Sequence, residues 1–258
     1  MILAGDIMVL NTPEIKIVSD VSELNRAAAD EFASCAQSSI RDRGRFAVAL
    51  SGGSTPRAIY SLLAGDQKAP EKRLPWENIF VFFGDERHVP PTDDESNYRM
   101  ARESLLSKVP IPEQNVFRVA TELDAETAAT QYEQQLVRFF QMGPSESEAW
   151  PRFDLIMLGM GPDGHTASLF PGSPALQETQ RKVVANWVEK FKSFRITFTF
   201  PILNHAAEVM FAVSGESKAE ILKDVLKNPD RNLYPSQKVR PENGRLLWIV
   251  DKAAAKLL

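Results

Sequence analysis

Five consecutive apolar residues, Ile79-Phe80-Val81-Phe82-Phe83, leave no polar face to turn towards water. A strand of this kind must be covered on both sides, as the central strands of parallel sheets are. Further runs rich in β-branched and aromatic residues occur at Ile15 to Val18, Phe46 to Leu50, Phe153 to Leu158, Ile196 to Phe200, Val209 to Val213 and Leu246 to Val250. Residues 56–64, 97–108, 124–142 and 217–227 instead repeat apolar side chains at helical spacing, as in Ala128, Tyr132, Leu136 and Phe140. Strands alternating with helices predict βαβ units, and so an α/β, Rossmann-like fold: a mostly parallel sheet flanked by helices on both faces.

Composition narrows the class. The 258 residues, 43% hydrophobic and 25% charged, can bury a full core, and one domain over residues 1–258 is expected. Gly143 to Pro151 reads as a polar surface loop and Asn228 to Pro241 as a proline-bearing connection. A net charge of -4 gives no general attraction for nucleic acid, so any anion site must be a local basic cluster. Cys35, the single cysteine, excludes a disulfide framework, and it falls on one helical stripe with Val21, Leu24, Ala28 and Phe32, where packing accounts for it. The opening Met-Ile-Leu-Ala-Gly-Asp lacks the basic region of a signal peptide, and no apolar run is long enough to span a bilayer. A cytoplasmic protein without membrane partners, and a monomer by default, is expected.

Parallel sheets bind ligands beyond the carboxyl ends of their strands. Three polar clusters fall at such exits. Leu50 runs into Ser51-Gly52-Gly53-Ser54-Thr55-Pro56-Arg57, where glycines admit close backbone approach, Ser54 or Thr55 can cap a helix, and Pro56 suits its first turn. Free amides at a helix N-terminus favour phosphate, although the same residues also make an ordinary strand-to-helix turn. The lysine of a nucleotide P-loop is absent.

Phe83 runs into Gly84-Asp85-Glu86-Arg87-His88, in which Arg87 can clamp a phosphate or neutralise Asp85 and Glu86. His88 reads as a loop or packing residue. Leu158 runs into Gly-Met-Gly-Pro-Asp-Gly-His, which carries Gly159, Gly161 and Gly164 at dinucleotide-fingerprint spacing. That motif belongs in the first βαβ unit, with an acid ending the next strand, and neither condition is met. A tight turn presenting Asp163 and His165 fits better. The imidazole can serve as a general base, or be a hydrogen-bonded loop histidine; Asp163 can orient it or bind a substrate hydroxyl. Lys218, at another strand-to-helix junction, and Arg195 are further candidates for an anion site, or solvated cations.

Other chemistries lack their parts. No Gly-x-Ser-x-Gly elbow, cysteine–histidine nucleophile or His-Glu-x-x-His pattern occurs, and three histidines with one cysteine poorly supply a soft metal. Asp93-Asp94-Glu95 can hold a hard cation, but directly before Ser96-Asn97 it fits helix capping better. Neither a cofactor nor a metal is expected.

Taken together, LSGGSTPRAIY, FGDERHVPPTDDESNYRMARESLL, FDLIMLGMGPDGHTASLFPGS, RITFTFPILNHA and SGESKAEIL closely resemble the 6-phosphogluconolactonase family in content and order, from about Ile15 to the C-terminus. Glucosamine-6-phosphate deaminases share that family's fold, phosphate loop and Asp-Gly-His turn. They typically continue into Ile-Ala-Phe-Asn-Glu-Pro and have Asp-Glu-Tyr at the other exit, where this chain has Thr166 to Pro171 and Asp85-Glu86-Arg87. The resemblance implies hydrolysis of 6-phospho-D-glucono-1,5-lactone to 6-phospho-D-gluconate in the oxidative pentose phosphate pathway. It implies substrate binding by Gly52, Gly53, Ser54, Thr55, Asp85, Arg87 and Lys218, with Arg195 a further member, and catalysis by His165 with Asp163. The alternatives are an amino-sugar-phosphate deaminase or isomerase, and a sugar-phosphate sensor, for which no output domain is recognisable.

Overall fold

The computed structural model describes residues 12–69, 73–141, 150–228 and 233–258. The N-terminal residues weighed against a signal peptide, nearly all of the Gly143 to Pro151 loop and part of the Asn228 to Pro241 connection lie outside the described residues.

Among the described residues nine strands and six helices run β1 (Glu14–Val18), α1 (Val21–Arg43), β2 (Phe46–Leu50), α2 (Ser54–Asp66), β3 (Ile79–Phe83), β4 (Asp85–Arg87), α3 (Asn97–Ser104), α4 (Ala125–Phe139), β5 (Leu155–Leu158), β6 (Val183–Val188), β7 (Ser193–Phe198), α5 (Phe200–Asn204), β8 (Glu208–Val213), α6 (Ala219–Lys227) and β9 (Arg245–Asp251). Six strands form one sheet in the order β1-β9-β8-β5-β2-β3, every neighbouring pair parallel.

The period of two along each strand sorts its side chains between two cores. Ala47, Ala49, Phe82, Ile156, Leu158, Phe211 and Trp248 face a layer containing α4, α5 and α6. Val48, Leu50, Val81, Phe83, Leu155, Met157 and Ile249 face α1, α2 and α3. Both faces are therefore covered, which is why β2, β3 and β5 carry apolar residues almost throughout.

Three departures from the sequence expectation matter for the site. Asp85–Arg87, read as a loop, is strand β4, and Val183–Val188, unassigned from the sequence, is β6. The run placed at Ile196 to Phe200 is β7, Ser193–Phe198, and it lies outside the parallel sheet. These three strands form a small antiparallel sheet, ordered β4-β7-β6. The shift has a local cause: Thr199 is already the N-cap of α5, whose first helical turn holds Phe200 and Pro201. β4 is only three residues long and owes its strand geometry to pairing with β7, a tertiary partner that no local pattern announces.

Candidate active site

The parallel neighbours β8, β5, β2 and β3 bring four polar turns to one edge of the sheet. Beyond β2, Gly53 is the N-cap of α2, at φ 110, and neither Ser54 nor Thr55 caps the helix with its side chain. Glycine suits this cap because few other residues accept that backbone angle. Ser54 and Thr55 instead form the first turn, where amides have no partner within the helix. Gly52 is constrained from outside, since a β-carbon there would sit 1.8 Å from Asn97 Oδ1. Thr55 Oγ1 lies 3.3 Å from Ser214 Oγ, joining this turn to the exit of β8.

Beyond β3, the two acids before Arg87 divide their work. Glu86 is buried and accepts hydrogen bonds from the amides of Arg87, Asn97 and Tyr98 and from Ser96 Oγ, so it anchors the start of α3. Burial pushes its carboxyl up from the ordinary value, against the pull of those amides. Ser96 is the side-chain N-cap of α3, while Asp93 closes a local turn on the Glu95 amide and Asp94 pairs with Arg99 at 2.6 Å. Asp85 is also buried; it accepts from Ser168 Oγ at 2.7 Å and from Asn97 Nδ2 at 3.3 Å. This carboxylate ties β4 and α3 to the Asp-Gly-His turn. His88 hydrogen-bonds the Leu123 carbonyl, a packing role.

Arg87 and Arg195 stand directly opposite each other in the β4–β7 pair. Arg87 donates to the Glu95 carbonyl. Arg195 is 7% exposed, its guanidinium lies 5.1 Å from the Phe191 ring, and its Nη1 has no hydrogen-bond partner among the described residues. Burial and the charge of Arg87 both weaken its hold on its proton. Two cross-strand guanidinium groups repel, an effect that Asp85, Glu86 and Glu95 oppose, and a buried donor without a partner is costly, so the arrangement can receive an anion.

Beyond β5, the Gly161 amide donates to the His165 carbonyl and the Gly164 amide to the Gly161 carbonyl, closing a compact turn. His165 Nδ1 lies 2.5 Å from Asp163 Oδ1, and the ring stacks on Phe170 with centroids 4.1 Å apart. Burial opposes ionisation of Asp163, but the hydrogen bond and charge of His165 prevail and hold its carboxyl below the usual range. An ionised carboxylate only accepts, so Nδ1 carries the hydrogen, and in the neutral form of the ring the lone pair lies on Nε2. No helix follows Gly164, the next regular element being a single 3-10 turn at Pro174–Gln177; the three glycines are not a dinucleotide site. Beyond β8, burial pulls the Lys218 ammonium below the ordinary lysine value, while Asp163 acts in the opposite sense.

All of the sequence-derived candidates therefore lie at these strand exits or on the small sheet beside them. Sequence reasoning missed Asn97, Ser168, Phe170 and Lys190, whose ammonium lies 3.5 Å from Asp163 Oδ2. Ser96-Asn97 was visible as a helix start; nothing local marked the other three. Cys35 packs against the core on the α1 face, and its Sγ also lies 3.9 Å from Glu31 near Glu208, beside Arg245, which pairs with both carboxylates. That cluster lies where β8 and β9 begin, at the opposite end of the sheet. A surface cavity of about 470 Å³ along α3 is lined by Thr92, Arg99, Arg102, Glu103 and Ser107 and contains none of the candidates.

The fold and this edge define a class: an α/β protein that gathers guanidinium groups, a glycine-rich helix start and an imidazole–carboxylate pair at the exits of a parallel sheet. Residues 19–248 match the family model described as glucosamine-6-phosphate isomerases/6-phosphogluconolactonase. The chain belongs to that family. It is 41% identical to the 6-phosphogluconolactonase of Nostoc sp., over 93% of this chain and 96% of the relative. The solved 6-phosphogluconolactonase from Trypanosoma cruzi superposes with a TM-score of 0.84 at 32% identity, covering 98% of this chain and 99% of that one. A monomeric glucosamine-6-phosphate deaminase superposes with a TM-score of 0.77 at 21% identity over 95% of this chain and 100% of its own, a likeness of fold.

Proposed function

We infer that this protein hydrolyses 6-phospho-D-glucono-1,5-lactone to 6-phospho-D-gluconate, the lactone-opening step of the oxidative pentose phosphate pathway. The observation that carries the mechanism is the 2.5 Å contact between His165 Nδ1 and Asp163, which leaves Nε2 as the base; the buried Arg195 Nη1, without a partner among the described residues, supports the anion site. The phosphate sits between Arg87 and Arg195, with the turn from Gly52 to Thr55 and Lys218 completing its shell. Holding that distant dianion restricts where the lactone carbonyl can lie. His165 removes a proton from water as it attacks C1; the tetrahedral oxyanion collapses, and the ring oxygen leaves with a proton returned by the imidazolium. Asp163 orients the ring and stabilises its charged form. Asp85 acts from beneath, positioning Ser168 and Asn97.

A lactone is an activated ester, so the step needs neither a covalent nucleophile nor a metal, and no cofactor is proposed. The chain is proposed to work as one domain, as a monomer, in the cytoplasm. No described helix is long and apolar enough to cross a membrane.

The direct test generates the lactone freshly and follows acid release above its spontaneous hydrolysis. His165→Ala should lose about 10²-fold or more in kcat. Arg87→Ala should mainly raise KM and reduce the preference over unphosphorylated gluconolactone. Turnover undiminished in the histidine variant would remove His165 from the reaction. Ammonia released from glucosamine 6-phosphate would move the assignment to a deaminase.

A further inference from the structure

The tip of the β6–β7 hairpin carries a second cation to the acid–base pair. Its turn is closed by the Phe191 amide donating to the Val188 carbonyl and the Lys192 amide to the Glu189 carbonyl. Phe191 then meets the edge of Phe170, with centroids 5.7 Å apart and planes at 72°. Phe170 is the ring on which His165 stacks. This aromatic contact fixes where the tip lies, and Lys190 beside it reaches Asp163.

The two oxygens of Asp163 are thereby divided. Oδ1 meets His165 Nδ1 at 2.5 Å and Oδ2 meets Lys190 Nζ at 3.5 Å. We propose that Lys190 is a positioning residue for the imidazole. Its ammonium holds the Asp163 carboxylate in the orientation that presents Oδ1 to the ring, and its charge offsets the carboxylate's preference for a protonated ring. A carboxylate alone at this distance would favour imidazolium, which cannot act as a base. A neighbouring cation restores the balance and keeps Nε2 available at lower pH. Among the described residues, the charged groups linked to this assembly are Asp163 on the turn of the ring itself, Lys190 on the hairpin and Lys218 before α6, which both feel the Asp163 charge, and Arg195 over the Phe191 ring. Tyr234, packed against Gly164, is the nearby titratable neutral group. Lys190 is the cation among them in direct contact with Asp163.

The inference rests on the proposed role of His165 for its catalytic meaning, but its test does not need turnover. The protein has three histidines, so ring proton resonances can be followed against pH by NMR and His165 identified from the His165→Ala spectrum. In Lys190→Met the His165 midpoint should rise by about half a pH unit, since the lost charge is close but partly solvated. Lys190→Arg should restore the original midpoint. The difference should shrink in roughly 0.5 M salt, where screening lengths fall to a few ångströms. The acid limb of kcat/KM should move in the same direction. An unmoved His165 midpoint in Lys190→Met would overturn the proposal, as would failure of arginine to restore it. A shifted midpoint together with full activity in His165→Ala would support the Lys190 contact while discarding the catalytic assignment.

Discussion

Gly161 lies against its own histidine: a β-carbon there would come within 2.0 Å of the His165 ring. The turn therefore closes tightly enough for a carboxylate two residues before the histidine to reach its Nδ1. Charge acts at the same scale through Lys218, whose ammonium is disfavoured by burial. Its folded pKa lies below the unfolded one, so between the two the unfolded chain holds more protons and stability rises with pH. Ligand binding should run the other way, because deprotonation removes a charge that meets phosphate. Binding of the product 6-phosphogluconate, measured by calorimetry from about pH 7 upwards, should weaken before an ordinary lysine titrates. Lys218→Arg should abolish that alkaline loss. Asp163 gives the same direction at low pH: its depressed carboxyl stabilises the fold above the unfolded pKa, and that contribution is lost as pH falls through the folded one.

Among the elements, α3 shows how a structural carboxylate can resemble a catalytic one. Glu86 sits between two candidate site residues, yet both its oxygens are taken by the start of α3. In Glu86→Gln the amide nitrogen cannot accept, and at least one buried donor loses its partner. The expected cost is about 1–3 kcal/mol in denaturant unfolding, and KM should rise as Asn97 and β4 loosen. Loss of activity with unchanged stability would instead mark Glu86 as a participant in the chemistry. The antiparallel sheet works at this scale too, because pairing β4 with β7 sets Arg87 against Arg195.

Across the whole molecule, two buried tyrosines brace the strand exits from opposite layers. From α2, the Tyr60 hydroxyl accepts from the Ser51 amide at 3.0 Å and donates to the Ser51 carbonyl at 2.9 Å. From α4, Tyr132 does the same at Phe83, at 2.7 and 3.1 Å. The backbone groups where β2 and β3 enter their ligand turns are thereby satisfied by helices on either side of the sheet. Tyr132→Phe should cost about 1–3 kcal/mol, seen as a lower thermal midpoint, and raise KM by disturbing the step from β3 into β4. An unaltered KM at the lower stability would confine Tyr132 to the fold. How much of this was legible in the sequence follows from the range of each interaction. The apolar runs at Phe46 to Leu50 and Ile79 to Phe83 match β2 and β3 residue for residue, because burial on both faces leaves its mark on every position. Gly52-Gly53-Ser54-Thr55, Arg87, Asp163 and His165 were legible because turns and helix starts are written in neighbouring residues. By itself the sequence determined the parallel sheet, the strand exits and the residue types waiting there. Only the tertiary structure decided that Asp85 joins Ser168 to Asn97, that Arg195 opposes Arg87, and that Lys190 reaches Asp163. These partners come from separate elements and meet through strand register and packing, which a local pattern does not encode.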